Sequence, residues 1–322
     1  MKTYNQLTEI QRYQIEALNK AEKKQNEIAQ ILGFSPSTIS RELKRNRGKR
    51  GYRPKQANIK ATNRREKASK AIKMTDEAID LIEDKLYLDW SPDQISGWLK
   101  QEQVIEISHE RIYQHVWSDK AQGGDLYKHL RHSHKKRKKQ YGSRDKRGQI
   151  KNRISIDEGP KVVAEKTRVG DWEIDTVIGK NHQGALVTIV DRVSKFTLIK
   201  KVDSKRADVV TEATISLLKP YLDKVLTITA DNGKEFSDHQ VMKQHLDADV
   251  YFAHPYHSWE RGLNENTNGL IRQYFTKGSS FENITDEEVE KVMDRLNHRP
   301  RKTLGYRTPH EEFFSEYHRQ AA

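Results

Sequence analysis

The sequence contains no cysteine. That excludes disulfides and every zinc site built on thiolates, and it suits a reducing compartment. No apolar run approaches the roughly 20 residues of a membrane-spanning helix, and mean hydropathy is −0.95. The opening residues, MKTYNQLTEIQRYQ, lack the apolar core of a secretory leader. A cytoplasmic protein is expected.

What is plentiful is charge, and it is unevenly spread. The 322 residues carry a net +13. Residues 1–70 hold 18 Lys/Arg against 6 Asp/Glu, and residues 120–153 hold 13 against 2. Between and after them lie acidic blocks, 4 against 11 in residues 71–119 and 24 against 27 in residues 154–322. Basic blocks of this kind suit nucleic acid, because each phosphate contact releases counterions. A chain of this length is expected to form roughly two or three domains.

Residues 8–46 read as three short helices. Ile10, Ile15 and Leu18 are expected inward on the first, Ile28, Ile31 and Leu32 on the second, and Ile39 and Leu43 on the third. The run EIAQILGFSPSTISREL has an alanine suited to a close helix crossing, a glycine turn and a Ser-Pro helix start. That is a helix-turn-helix pattern, and an ordinary helical hairpin is the competing reading. Ser37, Thr38 and Arg41 suit base edges, and Lys44, Arg45 and Arg47 suit phosphates. The expected organisation is a DNA-binding domain over 1–50 and a basic linker or DNA-backbone arm over 51–74.

A second helix-turn-helix-like module is expected over 75–119. Its acidity leaves two readings open. It reads DNA through Ser108, Arg111 and Gln114, or it binds protein. Residues 120–158 are expected as a second basic linker. Its His129, His132 and His134 lack acidic partners nearby and do not look like a metal site.

From about residue 159 strands and helices alternate. GDWEIDTVIG, then two strands within GALVTIVDRVSKFTLIKKV, then VLTITADNGKEF and DVYFAH are strands, with helices between and after them. The fold class is therefore multidomain. All-α helix-turn-helix N-terminal modules precede an α/β catalytic domain of ribonuclease-H-like order, residues 159–322.

Three acids stand out there. Asp175 lies inside an apolar strand, where a carboxylate is costly unless paired or bound to a cation. Asp231 ends a strand, where open α/β sheets place ligands. Glu265 lies on a helix read from 259–275, capped by Ser258 after Pro255, with Leu263, Leu270, Ile271 and Tyr274 as its apolar side. Asn268 and Arg272 share the face of Glu265. The gaps between the three acids hold 55 and 33 residues. Carboxylates are the ligands Mg²⁺ prefers, and three of them can hold two ions about 3.5–4 Å apart. Asp171, Glu173, Glu235 and Glu260 compete for the role, Glu260 being about 140° around the helix from Glu265.

GDWEIDTVIG, ITADNGKEF, WERGLNENTNGLIRQYF and NHRPRKTLGYRTPHE together resemble the transposases of bacterial insertion sequences, specifically the insertion-sequence-30 family, over nearly the whole chain. The resemblance implies that Asp175, Asp231 and Glu265 form a metal-binding catalytic triad loaded with Mg²⁺ or Mn²⁺, two ions per site. It implies that Arg272 contacts transposon-end DNA and that Asn264, Asn266 and Asn268 line the DNA side. Double-stranded DNA (element ends and target) is the implied partner, with a homo-oligomer pairing two ends, in a nucleoid-associated protein. The sequence departs from the family pattern at Ala230, where serine is common, and at Thr276, where proline is common. Two rival readings are an inactive DNA-binding regulator and a non-transposing nuclease of the same fold.

Overall fold

The computed structural model describes residues 6–67, 74–131, 150–254 and 258–315. His132, His134, Pro255 and most of the second basic run lie outside the described residues. Two compact units divide the chain, residues 1–72 and 73–322.

The first unit holds α1 (Glu9–Lys20), α2 (Gln25–Leu32), α3 (Pro36–Asn46) and α4 (Pro54–Glu66). Thr8 and Gln11 form a capping box on α1, and Ser35 caps α3, whose first residue is Pro36. Gly33 ends α2 at φ 71°, a left-handed backbone that glycine adopts without strain. Leu7, Ile15, Ile28, Ala29 and Ile39 form the core. Ile10 and Ile31, expected inward, are 72% and 58% exposed. On the same two helices Arg12 and Ala29 are buried instead. The expected linker over 51–74 is also corrected, because residues 54–66 form α4. That helix packs on α1 and α3 through buried Pro54 and Ala57, and Asn58 accepts from Arg12 Nη1 at 3.0 Å. Arg12 Nε donates to Glu42 Oε1 at 2.8 Å, and Tyr52 donates to the same oxygen. One buried ion pair thus ties α1, α3 and the chain entering α4.

The second unit begins with α5 (Asp76–Tyr87), α6 (Pro92–Gln101) and α7 (His109–Ala121) around Ile82, Leu86, Ile95, Leu99, Ile112 and Val116. This trio packs against the C-terminal part of the same unit. Asp89 pairs with Arg295, Asp93 pairs with Lys302, and Gln94 donates to the carbonyl of Pro300. Two of its acidic residues are therefore spent on docking. The segment expected as a linker after it is partly structured. Leu126 joins the core of the trio and Ile150 joins that of the sheet, while His129 bonds Asp89 at 2.9 Å.

The sheet contains β1 (Ile154–Ser155), then, after the short α8 (Lys161–Glu165), β2 (Asp171–Ile178), β3 (Ala185–Asp191) and β4 (Thr197–Val202). After α9 (Ala207–Leu218) come β5 (Thr227–Ala230), α10 (His239–Leu246) and β6 (Asp249–Phe252). The chain closes with α11 (Gly262–Tyr274), α12 (Asp286–Asn297) and α13 (Pro309–Phe314). Strand order is β1-β6-β5-β2-β3-β4; β2, β3 and β4 run antiparallel, and β2, β5, β6 and β1 are parallel. The expected mixed α/β sheet is present, with β1 as an edge strand too short to announce itself in sequence.

Alternation along β2 sorts its residues. Trp172 and Ile174 enter the core shared with α9 and α10, and Val177 enters the one shared with α11 and α12. Glu173 and Asp175 share the face of Val177. On α11, Leu270 and Ile271 are buried against that face, each contributing about 1.5–3 kcal/mol by leaving water. The helix starts at Gly262, later than expected, after a single 3₁₀ turn over Ser258–Arg261. A Cβ at Gly262 would meet nothing within 4 Å, so packing does not explain that glycine. At Gly269 it would touch only Arg131, at 3.4 Å.

Candidate active site

The parallel register brings two of the three acids together. Asp171 pairs with Thr227 and Glu173 with Thr229. Extending that register by two residues sets Asp175 beside Asp231, on neighbouring strands about 4.8 Å apart. Asp231 follows the last residue of β5, at the carboxyl end of the strand. Its Oδ1 accepts from the backbone N–H of Gly233 at 2.7 Å. A Cβ at Gly233 would stand 2.8 Å from that oxygen and 2.3 Å from a carboxylate oxygen of Glu235, so a larger residue there would have to push both side chains aside. Asn232 fixes the turn from its other side by donating to the carbonyl of Ala253 at 2.7 Å.

Asp175 is held from α11. Asn268 Nδ2 donates to its Oδ2 at 2.8 Å, and Thr188 on β3 donates to the Asn268 side-chain oxygen at 3.2 Å. Between the two carboxylates lies the guanidinium of Arg261. Its Nη1 is 3.2 Å from Asp231 Oδ2, and its Nη2 is 3.3 Å from Asp175 Oδ1 and 2.8 Å from the carbonyl of Ile174. Burial raises the pKa of Asp175, Asp231 raises it further, and Arg261 works against both. Burial opposes the charge of Arg261, yet Asp175 and Asp231 outweigh it and raise its pKa.

Glu265 does not join them in this structure. It lies one turn beyond Arg261, exposed, with no hydrogen bond or ion pair among the described residues. No group of three acidic or imidazole side chains is arranged to hold a metal ion among the described residues. A guanidinium stands where the third acid was expected, and two acids with one base relieve the repulsion that three acids would suffer.

The competing acids have structural partners. Asp171 accepts from Arg168 and Thr227. Glu173 pairs with Arg192 at 3.2 Å. Glu235 pairs with Lys205 at 2.6 Å and accepts from Thr176. Glu260 turns away, as expected, accepting from the backbone N–H and ring Nδ1 of His254.

One reading of the helix face needs correction, that of Asn264. Asn264 is buried, with its amide on the carbonyl of Ile174, while half-buried Asn268 holds Asp175 and lines an open groove. Arg272 is half-buried, donating to the carbonyl of Ile178 at 2.7 Å and stacked on Phe281. The exposed charges beside it, in a groove with Thr176 and Asn268, are Lys180 and Lys277, which sequence reasoning passed over. Asn266 is exposed and meets Arg131 at 3.4 Å. In the N-terminal unit, α3 presents Ser37, Arg41, Lys44 and Arg45 to solvent. Thr38 is half-buried beside them, bonded to Ser35.

A mixed sheet flanked by helices, with two aspartates at neighbouring strand ends, defines an integrase-type catalytic core behind a helix-turn-helix module. The integrase core domain family matches residues 166–258, and a helix-turn-helix domain family matches residues 3–46. The chain is 42% identical over 309 residues to the transposase of insertion sequence element IS4351 from Bacteroides fragilis, covering 95% of each. It is 37% identical over 318 residues to the transposase InsI of IS30A from Escherichia coli K12, covering 95% of this chain and 82% of that one. Among solved structures, the catalytic core domain of BIV integrase aligns at 19% identity and a TM-score of 0.37, covering 48% of this chain and 99% of that one.

The chain belongs to the insertion-sequence-30 family of transposases. It is a DNA-binding polynucleotidyl transferase.

Proposed function

We propose that this transposase binds the terminal inverted repeats of its element through α3 and cleaves and rejoins DNA at the Asp175–Asp231 site. One observation carries the reading. Two carboxylates at neighbouring ends of parallel strands face a single cationic group. Carboxylate oxygens are the donors Mg²⁺ and Mn²⁺ take, so the chemistry of the pair fits a divalent cation. Asp175, Asp231 and Glu265 would hold it, as two ions per site. When bound, it supplies Lewis-acid polarisation of the phosphodiester.

The chain's own residues do the rest. Asn268 and the Gly233 N–H orient the two aspartates. Exposed Glu265 stands on the same helix as Asn268, just after Arg261, both of which touch the pair, and brings the third carboxylate from there. Lys44 and Arg45 bind phosphates, while Ser37, Thr38 and Arg41 lie along α3 against base edges. Lys180 and Lys277 extend the basic surface beside the site. A homo-oligomer that pairs two ends completes the reading.

The test is Glu265→Gln in full-length protein, with a labelled element end, Mg²⁺ and target DNA. End binding persists while 3′-end cleavage and joined products disappear. Normal cleavage by that variant sinks the assignment of Glu265. Cleavage by wild-type protein without joined products points to a nuclease.

A further inference from the structure

Each of the four carboxylate oxygens of the aspartate pair has a donor, and the donors fall into two kinds. Asp175 Oδ2 and Asp231 Oδ1 accept from neutral groups, the Asn268 amide and the Gly233 N–H. Asp175 Oδ1, which also accepts from the backbone N–H of Thr176 at 2.8 Å, and Asp231 Oδ2 face the Arg261 guanidinium. The neutral donors fix how the carboxylates are turned. The other two oxygens converge on one positive charge.

Arg261 is only 9% exposed, and its Nε is buried with no hydrogen-bond partner. A buried polar atom left unsatisfied disfavours this placement. What retains the guanidinium is the two carboxylates and the Ile174 carbonyl. It has no other acidic partner at hydrogen-bond distance among the described residues. Glu173, on the same strand face, is committed to Arg192. Arg261 also directly precedes α11, four residues before Glu265.

We infer that Arg261 is the resident counter-ion of the aspartate pair and is exchanged for the divalent cation when the site loads. The inference rests on the reading that Asp175 and Asp231 hold such a cation. A guanidinium and a divalent cation on the same two oxygens would repel each other at short range in a poorly solvated site. One must leave for the other to bind. Arg261 therefore keeps two like-charged aspartates together at low metal concentration and sets the concentration at which the site fills. Its departure also frees the first residue before α11, the helix that carries Glu265.

The test uses full-length wild-type protein and the Arg261→Gln, Arg261→Lys and Asp175→Asn variants, titrated with MnCl₂ and read by electron paramagnetic resonance of free Mn²⁺. Arg261→Gln binds Mn²⁺ about tenfold more tightly than wild type, the loss of one competing charge, and Arg261→Lys falls between. Equal or weaker binding by Arg261→Gln, with circular dichroism showing it folded, overturns the inference. Should that variant not fold, the wild type decides. The side-chain Nε–H signal of Arg261, assigned by its loss in Arg261→Lys, shifts and exchanges faster with water as MgCl₂ is added. A signal unmoved at saturating Mg²⁺ overturns the inference. If wild type and Asp175→Asn bind Mn²⁺ identically, the reading of the aspartates as metal ligands fails instead.

Discussion

Arg12 and Arg261 are both buried arginines facing carboxylates, one in each compact unit, and they differ in stoichiometry. Arg12 meets one acid. It reaches both oxygens of Glu42, the carbonyl of Leu7 and the amide oxygen of Asn58, and Tyr52 supplies Glu42 with a further donor. Burial, reinforced by Glu42, pushes the Tyr52 phenol pKa up, so it stays a donor. One base and one acid close on each other with nothing left over. Arg261 meets two acids, keeps an unsatisfied Nε and leaves a surplus negative charge. A closed set of charges holds helices together, whereas a set with a surplus retains capacity for a ligand. Burial and pairing alone do not separate these cases; the charge balance does.

The widest break in the comparison is expected from neutralising one acid in each set. Asp175→Asn should lower DNA cleavage about a thousandfold or more, or about 4 kcal/mol of transition-state stabilisation. Its melting temperature should stay level or rise, because a repelling buried charge is removed. Glu42→Gln should do the reverse. It strands a buried guanidinium, at a cost of about 3–5 kcal/mol to the N-terminal unit. Melting and sequence-specific binding are then lost while Mn²⁺ affinity is kept. The double change Arg12→Met with Glu42→Leu should recover most of that stability, since an apolar pair of similar size replaces a closed ion pair at little cost. An Asp175→Asn variant that cleaves normally, or a Glu42→Gln variant that melts like wild type, removes the distinction.

A smaller effect sharpens the role of the N-terminal unit. Lys44→Ala and Arg45→Ala leave the closed pair intact and alter only exposed charges on α3. Each should flatten the dependence of log K on log salt by about 1 in a titration with element-end DNA. An unchanged slope would remove that residue from the DNA contact. Removing residues 1–46 is a poorer probe, because it deprives α4 of the helices it packs on.

Much of this was legible in the sequence, for identifiable reasons. Caps and the glycine turn are local signals, so α1 to α3 could be read directly. Ile10 and Ile31 were misplaced because periodicity defines a stripe without saying which edge of it meets the core. The helix α4 was hidden because PKQANIKATNRRE has almost no apolar face; small buried residues and side-chain amides hold it. Asp175 and Asp231 could be found because each breaks a rule of its surroundings, a charge in an apolar strand and an acid at a strand end. Arg261 could not. A basic residue four positions before an acid on a helix is ordinarily a surface pair, and only the β2–β5 register shows what it faces. The same limit left open that Asn264, Asn268 and Arg272 bond groups of β2. Spacing identifies a shared face and leaves its direction open.

The smallest expected effect lies at His254, which links Glu260 before α11 to Asp157 near β1. Its ring nitrogens sit 2.9 Å and 2.8 Å from those carboxylates. The bond to Glu260 raises its pKa, burial opposes this, and the bond to Asp157 adds to the rise. A base whose folded pKa is raised stabilises the fold fully below its unfolded value, near 6.5. That contribution fades as pH rises through the folded value. Melting temperature should therefore fall between about pH 6 and pH 8 more in wild type than in His254→Gln, which cannot gain or lose the proton. Comparing the two proteins in one buffer series cancels the other histidines. Parallel curves would show that His254 does not titrate in this window.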